Sequence, residues 1–180
     1  MTSVFEIESR PALADRKPAF YTDFRLEPLA EGHVLHVLAK GIAGDLSPDI
    51  RAAAGGSDLS VRFVSPGQWF IVGDNVLTRE ELAALAMALK PVGEIVDQSH
   101  GRIRIGLSGN RATILLAKGC GVDFDLSQFP IGHATPTLFG HIGTHITRMA
   151  QDRFELLVLR TLAQSLWDEL VALGLEFSAD

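Results

Sequence analysis

One device occurs twice in this chain. "PGQWFIV", from Pro66 to Val72, sets Trp69 and Phe70 behind a Pro-Gly turn at the head of an apolar run. "DRFELLVL", from Asp152 to Leu159, repeats the layout with Phe154, and a helix signal opening on a threonine, Thr78 or Thr161, follows each. A short run that is apolar on both faces belongs inside a sheet, and an amphipathic helix behind it packs on that sheet. Two copies in 180 residues constrain the chain to an α+β fold of two related halves.

The stretches between the copies fill in these halves. "HVLHVLA", from His33, carries Val34, His36 and Leu38 on one side and Leu35 and Val37 on the other, as an interior strand does. A short helix is predicted from Ser47, with Ser47 as its cap, Pro48 in its first turn and Gly55-Gly56 as its stop. Leu59, Val61 and Phe63 alternate into a further strand. Thr78 and Glu81 form a capping box for a helix with Leu82, Leu85, Ala86 and Leu89 on one face and Pro91 beyond its end. Strands are expected at 94–97 and 102–107. A helix follows over 111–118, with Gly119 closing it in a left-handed conformation. The loop "LSQFPIGHATP" leads to a strand at 141–149, then to the Phe154 strand and to a last helix with Leu162, Leu166, Leu170 and Leu173 at helical spacing. The order predicts two β-α-β-β-α-β style halves, an α+β fold with mixed or antiparallel sheet. Residues 24–180 then form one domain with halves of about 24–90 and 91–180, and residues 1–23 form an arm that orders against something else.

Charge and cysteine content narrow the function. The net charge of −6 carries no run of Lys or Arg, which argues against nucleic acid or an anionic membrane as partner. The first residues have early acids and no long apolar core, so no signal peptide is expected, and no stretch approaches the roughly 20 apolar residues of a membrane span. A single cysteine, Cys120, allows no internal disulfide, and the expectation is a cytoplasmic protein.

No spacing assembles an active site. His141 and His145, with His133 nearby, have the interval of a helical zinc motif, but "GHIGTHITRM" reads as a strand. On a strand the two rings stand about 13 Å apart, at about 3.3 Å per residue, and they are expected to be surface or subunit-contact imidazoles with no metal between them. Cys120 follows a helix end, where the dipole does not favour a thiolate, and reads as a packing thiol. "GLSGNRA", 106–112, lacks both the dinucleotide spacing and the Gly-Lys-Ser/Thr of a nucleotide loop, and reads as a tight turn with Ser108 or Asn110 capping the helix. Asp97, Ser99, His100 and Arg102 cluster in "VDQSHGRIRI", but adjacent residues of a strand point to opposite faces and make a poor nucleophile and base pair. Trp69 and Trp167 read as core or interface anchors. Trp167, beside the leucine stripe, is expected to be partly exposed until a partner covers it. No catalytic, cofactor-binding or metal residue is assigned.

"VDQSHGRIRIGLSGNRATILLAKGC" resembles the Asp-x-Ser-x-x-Gly, strand, Ser-Gly, helix pattern of the glycine-cleavage aminomethyltransferase superfamily, the folate-binding T-protein fold. The order "SPGQWFIV", "VDQSHGR", "LAKGCGVDF", "FPIGHATPT", "LAQSLWDEL" is more similar to the gamma subunit family of heterotetrameric sarcosine oxidase, with Ser65 where that family has glycine. The resemblance covers residues 60–174, and residues 1–57 match it poorly.

The resemblance implies a duplicated ferredoxin-like fold in which the two aromatic-headed strands are equivalent. It also implies a non-catalytic gamma subunit working with alpha, beta and delta subunits. Such a complex demethylates sarcosine oxidatively and passes the one-carbon unit to tetrahydrofolate. FAD, FMN, NAD, folate and zinc lie on the other subunits and none on this one. The alternatives are a folate-like binding module, with Arg102, Arg104 and Arg148 facing a glutamate tail, and a stand-alone enzyme. On the bland reading those three arginines are exposed on the sheet.

Overall fold

The computed structural model describes residues 10–41, 44–55 and 60–178. Ten strands and four α-helices follow in the order β1 (Ala19–Phe20), β2 (Arg25–Pro28), β3 (His33–Ala39), α1 (Ser47–Ala53), β4 (Ser60–Ser65), β5 (Gln68–Gly73), α2 (Arg79–Leu89), β6 (Gly93–Asp97), β7 (Arg102–Ser108), α3 (Ala112–Gly119), β8 (Ala134–Phe139), β9 (Ile142–Ala150), β10 (Arg153–Leu159) and α4 (Ala163–Gly174). Of the expected features, Leu59 and Gly56 lie outside the described residues.

Two antiparallel sheets result, ordered β4-β5-β3-β6 and β1-β2-β7-β10-β9-β8. The first is a complete β-α-β-β-α-β unit: its first and third strands, β3 and β5, are central and its second and fourth are edges. The larger sheet repeats this with β7, β9 and β10 as its first three strands. Its fourth place, beside β7, is filled by β2 from the start of the chain. The units therefore do not divide at residue 90. β6 stays with the first unit and β2 belongs to the second, so the chain begins in one sheet, builds the other, and returns.

Side-chain alternation turns both sheets into double-faced layers. On β3 and β5, Leu35, Val37, Trp69 and Ile71 pack with Ile50 of α1 and Leu82, Leu85 and Leu89 of α2. On the larger sheet Ile103, Ile105, Leu107, Ile146, Phe154 and Leu156 pack with Leu115 and Leu116 of α3 and Leu166, Trp167 and Leu170 of α4. The remaining faces meet each other, where Val34, Phe70 and Val72 pack on Leu157. The layers run helix, sheet, sheet, helix. Trp69 and Phe154 are both 1% exposed on equivalent third strands, β5 and β10, so the repeated device is architectural.

Several local expectations are corrected. Ser47 does not cap α1; it is the first helical residue, and its amide donates to Asp45 Oδ1. Neither Ser108 nor Asn110 caps α3. The turn is held by backbone, with Gly109 at φ 130° donating to the Asp152 carbonyl and Arg111 donating to that of Asp23. Gly119 is not left-handed. It is the last residue of α3, and a Cβ there would overlap the Phe139 ring, so the glycine serves close approach. "ATPTLF" is not loop but the edge strand β8, turned into β9 at Gly140 (φ 55°), and an edge tolerates Pro136. Trp167 is not partly exposed. It is 4% exposed because the buried stripe of α4 runs Ala163, Leu166, Trp167, Leu170, Gly174. Residues 10–23 lie on the chain's own body: Leu13 is buried in the larger core, and the Ala12 amide donates to Glu31.

Candidate functional site

The residues singled out by chemistry end in separate places. His141 is exposed at the β8-β9 turn, and His133 is exposed against the Phe129 ring. His145 is not a surface imidazole: it is 3% exposed between the sheets, with Nε2–H donating to the Phe63 carbonyl at 2.8 Å. Burial pushes its pKa down to about 4, and the charges of Arg62 and Arg102 act in the same direction. Cys120 follows the end of α3, where its thiol donates to the Leu116 carbonyl and burial raises its pKa.

Asp97, Ser99, His100 and Arg102 form no reactive set. Residues Ser99–Gly101 make a 3-10 turn, not strand. The Ser99 hydroxyl donates to Asp97 Oδ1 at 2.5 Å and accepts the Val34 amide, while His100 points to solvent. Arg102 donates to Gln98 Oε1 and lies over the Phe70 ring.

What the sequence reading missed is an ion cluster between the sheets. Glu155 of β10 accepts Arg62 of β4 through both oxygens, at 2.8 and 3.0 Å, and Arg104 of β7 likewise at 2.7 and 2.9 Å. Arg104 continues to the Asp74 carboxylate at 2.7 Å and to the Gly73 carbonyl. The side chains of Arg62 and Glu155 are 1% and 3% exposed. Burial alone would raise Glu155, but hydrogen bonds and charge from the two guanidinium groups override it and hold its pKa at about 2. Both arginines fork onto Glu155, so its carboxylate is fully engaged in fastening the sheets, while the exposed Asp74 meets Arg104 through one oxygen.

Two openings lie near these groups. A recess of 170 Å³ at the mouth of the sheet interface is lined by Arg104, Glu27, Asp74 and Met149. A wider cleft of 640 Å³ lies on the opposite face of the larger sheet, between α3 and residues 122–126, with Arg148 among its walls. Arg104 and Arg148 are 5% and 2% exposed, not displayed on the sheet as expected. Arg102 and Arg104 belong to the inter-sheet face. Arg148 points to the helix face, donating to the Phe124 carbonyl at 2.7 Å. Among the described residues no group of three or more His, Cys, Asp or Glu is placed to hold a metal ion, and no helix is long and apolar enough to cross a membrane.

Two β-α-β-β-α-β units packed sheet to sheet, the second completed by β2, give the chain an α+β fold of the aminomethyltransferase-like kind. The fold is shared with the glycine cleavage system aminomethyltransferase T from Bartonella henselae, at 14% identity and a TM-score of 0.59 over 81% of this chain and 45% of that one. It is shared more fully with a chain of the heterotetrameric sarcosine oxidase from Corynebacterium sp. U-96 in complex with pyrrole 2-carboxylate, at 20% identity and a TM-score of 0.80 over 96% and 97%. The curated sarcosine oxidase subunit gamma of Corynebacterium sp. (strain U-96) is 23% identical over 97% of this chain and 85% of its own length. The sarcosine oxidase gamma subunit family model matches residues 36–175, and this chain belongs to that family.

Proposed function

We propose that this chain is the gamma subunit of a heterotetrameric sarcosine oxidase and contributes architecture to it, with no reacting group of its own. Family membership over 140 of its 180 residues (36 to 175) supports the assembly. The reading that it contributes no chemistry is supported by one observation: the charged groups buried between the sheets, Arg62, Arg104 and Glu155, are paired with one another. In this reading the alpha, beta and delta subunits of a cytoplasmic complex carry the flavins, NAD, folate and zinc. The complex oxidises the methyl group of sarcosine, and the carbon passes to tetrahydrofolate.

The folate-module alternative loses support from the geometry. Its three arginines cannot converge on one glutamate tail, because Arg148 lies across the sheet from Arg102 and Arg104. The 170 Å³ recess at Arg104 is also below the roughly 300 Å³ at which ligand pockets begin. Purified alone, the chain is expected to show no flavin absorbance and no sarcosine-dependent peroxide. Co-expressed with the other three subunits, it is expected to elute with them and to be required for their yield. A yellow chain that turns over sarcosine by itself, or a complex that forms in full without it, overturns the reading.

A further inference from the structure

The cleft beside α3 contains a buried guanidinium, two of whose nitrogens have no hydrogen-bond acceptor among the described residues. Arg148 is 2% exposed; it makes one hydrogen bond, to the Phe124 carbonyl, and stacks 4.8 Å over the Phe154 ring. Its Nε and Nη1 are buried and have no acceptor among the described residues. Asp125 on the same wall acts on Arg148 through its charge, but neither it nor Asp123 hydrogen-bonds to the guanidinium. Asp123 Oδ1 takes the Asp125 amide, and Asp125 Oδ1 takes the amide and hydroxyl of Ser127. A buried guanidinium in this condition is energetically incomplete, since buried donors left without acceptors cost free energy. The contrast with Arg62 and Arg104, both forked onto Glu155, is sharp.

The surroundings say what completes it. Ile114 and Leu126 stand on the rim, 50% and 47% exposed, offering apolar surface beside the charge. Asp123, Asp125 and Asp152 are exposed around the same opening. The combination of a positive floor, apolar shoulders and an acidic rim complements a protein segment bearing an acid flanked by an apolar and a basic residue. A free dianion would meet the rim unfavourably.

We propose that this cleft is the seat of a segment from another subunit of the complex. An acidic side chain of that segment pairs with Arg148, its apolar neighbour lies on Ile114 and Leu126, and its basic neighbour meets Asp123, Asp125 or Asp152. The proposal rests on the gamma-subunit reading. Docking requires residues 123–126 to yield enough to admit the carboxylate, and it supplies the acceptors that Nε and Nη1 lack.

The test compares wild type, Arg148→Met and Ile114→Glu, each alone and each co-expressed with the other three subunits. Methionine keeps the length and the contact with Phe154 while removing the unsatisfied donors, so the isolated Arg148→Met chain should melt at or above the wild-type temperature. Its binding to the partner subunits should fall about thirtyfold or more, as when one member of a buried charge pair is removed. Ile114→Glu, on an exposed helix position, should fold normally and also weaken assembly. If the Arg148→Met chain does not fold, Ile114→Glu decides. Wild-type assembly that survives these changes at full affinity overturns the site and leaves the subunit reading standing. Failure of the wild-type chain to assemble overturns both. If millimolar acetate or succinate raises the melting temperature of the wild-type chain but not of Arg148→Met, the ligand is a free acid and the subunit segment is refuted.

Discussion

Glu155 holds two buried arginines at once. Replacing it with Gln leaves Arg62 and Arg104 buried against a neutral amide. Breaking a buried pair from one side costs about 3–5 kcal/mol, read as a fall in urea midpoint at pH 7. Acid should do the same to the wild type in two stages. His145 is held neutral when folded, its pKa down from 6.5 to about 4, so the unfolded chain takes up its proton first. That contribution is complete above pH 6.5 and is lost as pH falls to about 4. Glu155 is depressed from 4.5 to about 2, so its contribution is complete above pH 4.5 and is lost below that. A melting temperature flat above pH 6.5 and falling in both windows is expected, and His145→Gln should flatten the upper one. None of this was legible beforehand. In "SVRFVS" the alternation of Val61 and Phe63 marks a strand, but nothing local reports that a second sheet covers the face carrying Arg62.

At the scale of elements, one capping signal holds and others do not: Ser47 and the Ser108/Asn110 turn cap nothing, and signals that depend on a distant neighbour mislead as well. The α2 capping box is present as expected, with Thr78 Oγ1 accepting the Glu81 amide and Glu81 accepting that of Thr78, because capping is complete within four residues. Thr78→Ala should cost about 1 kcal/mol. Gly119 looked like a stop but answers to Phe139, which lies outside its helix. Gly119→Ala should cost about 1–3 kcal/mol by overpacking, and Phe139→Leu in the same chain should recover most of it; an additive double mutant would sink that account. The leucine stripe Leu162, Leu166, Leu170, Leu173 leaves Trp167 beside it, whereas the buried face of α4 is centred on Leu166, Trp167 and Leu170. Trp167→Ala should therefore be as damaging as Trp69→Ala, each by about 3–5 kcal/mol in chemical denaturation of the chain alone.

At the scale of the whole molecule, the duplication was legible from two aromatic-headed strands, and the family from the order of its motifs. The permutation was not, because "RLEP" of β2 is four residues with one buried position and carries no periodicity worth reading. That short strand has a large consequence. It pairs with β7 from Arg25 to Pro28, buries Leu26 completely, and closes the larger sheet on the side away from β10. The second unit therefore depends on residues that precede the first. The sheets are joined again by Arg62 and Glu155, 93 residues apart, and by Leu157 against Phe70. With connections woven in both directions, neither unit has a boundary along which it can melt alone. Calorimetry of the isolated chain should show one transition, with calorimetric and van't Hoff enthalpies equal. Deleting residues 1–28 removes β1, β2, Leu13 and Phe24 from the larger core and leaves the β7 edge unpaired. That truncated chain should lose the transition or aggregate, and a peptide of residues 10–30 added during refolding should restore it. If the truncated chain instead melts cooperatively near the wild-type temperature, or the full chain melts in two separate steps, the sheets are independent units and the weave is incidental.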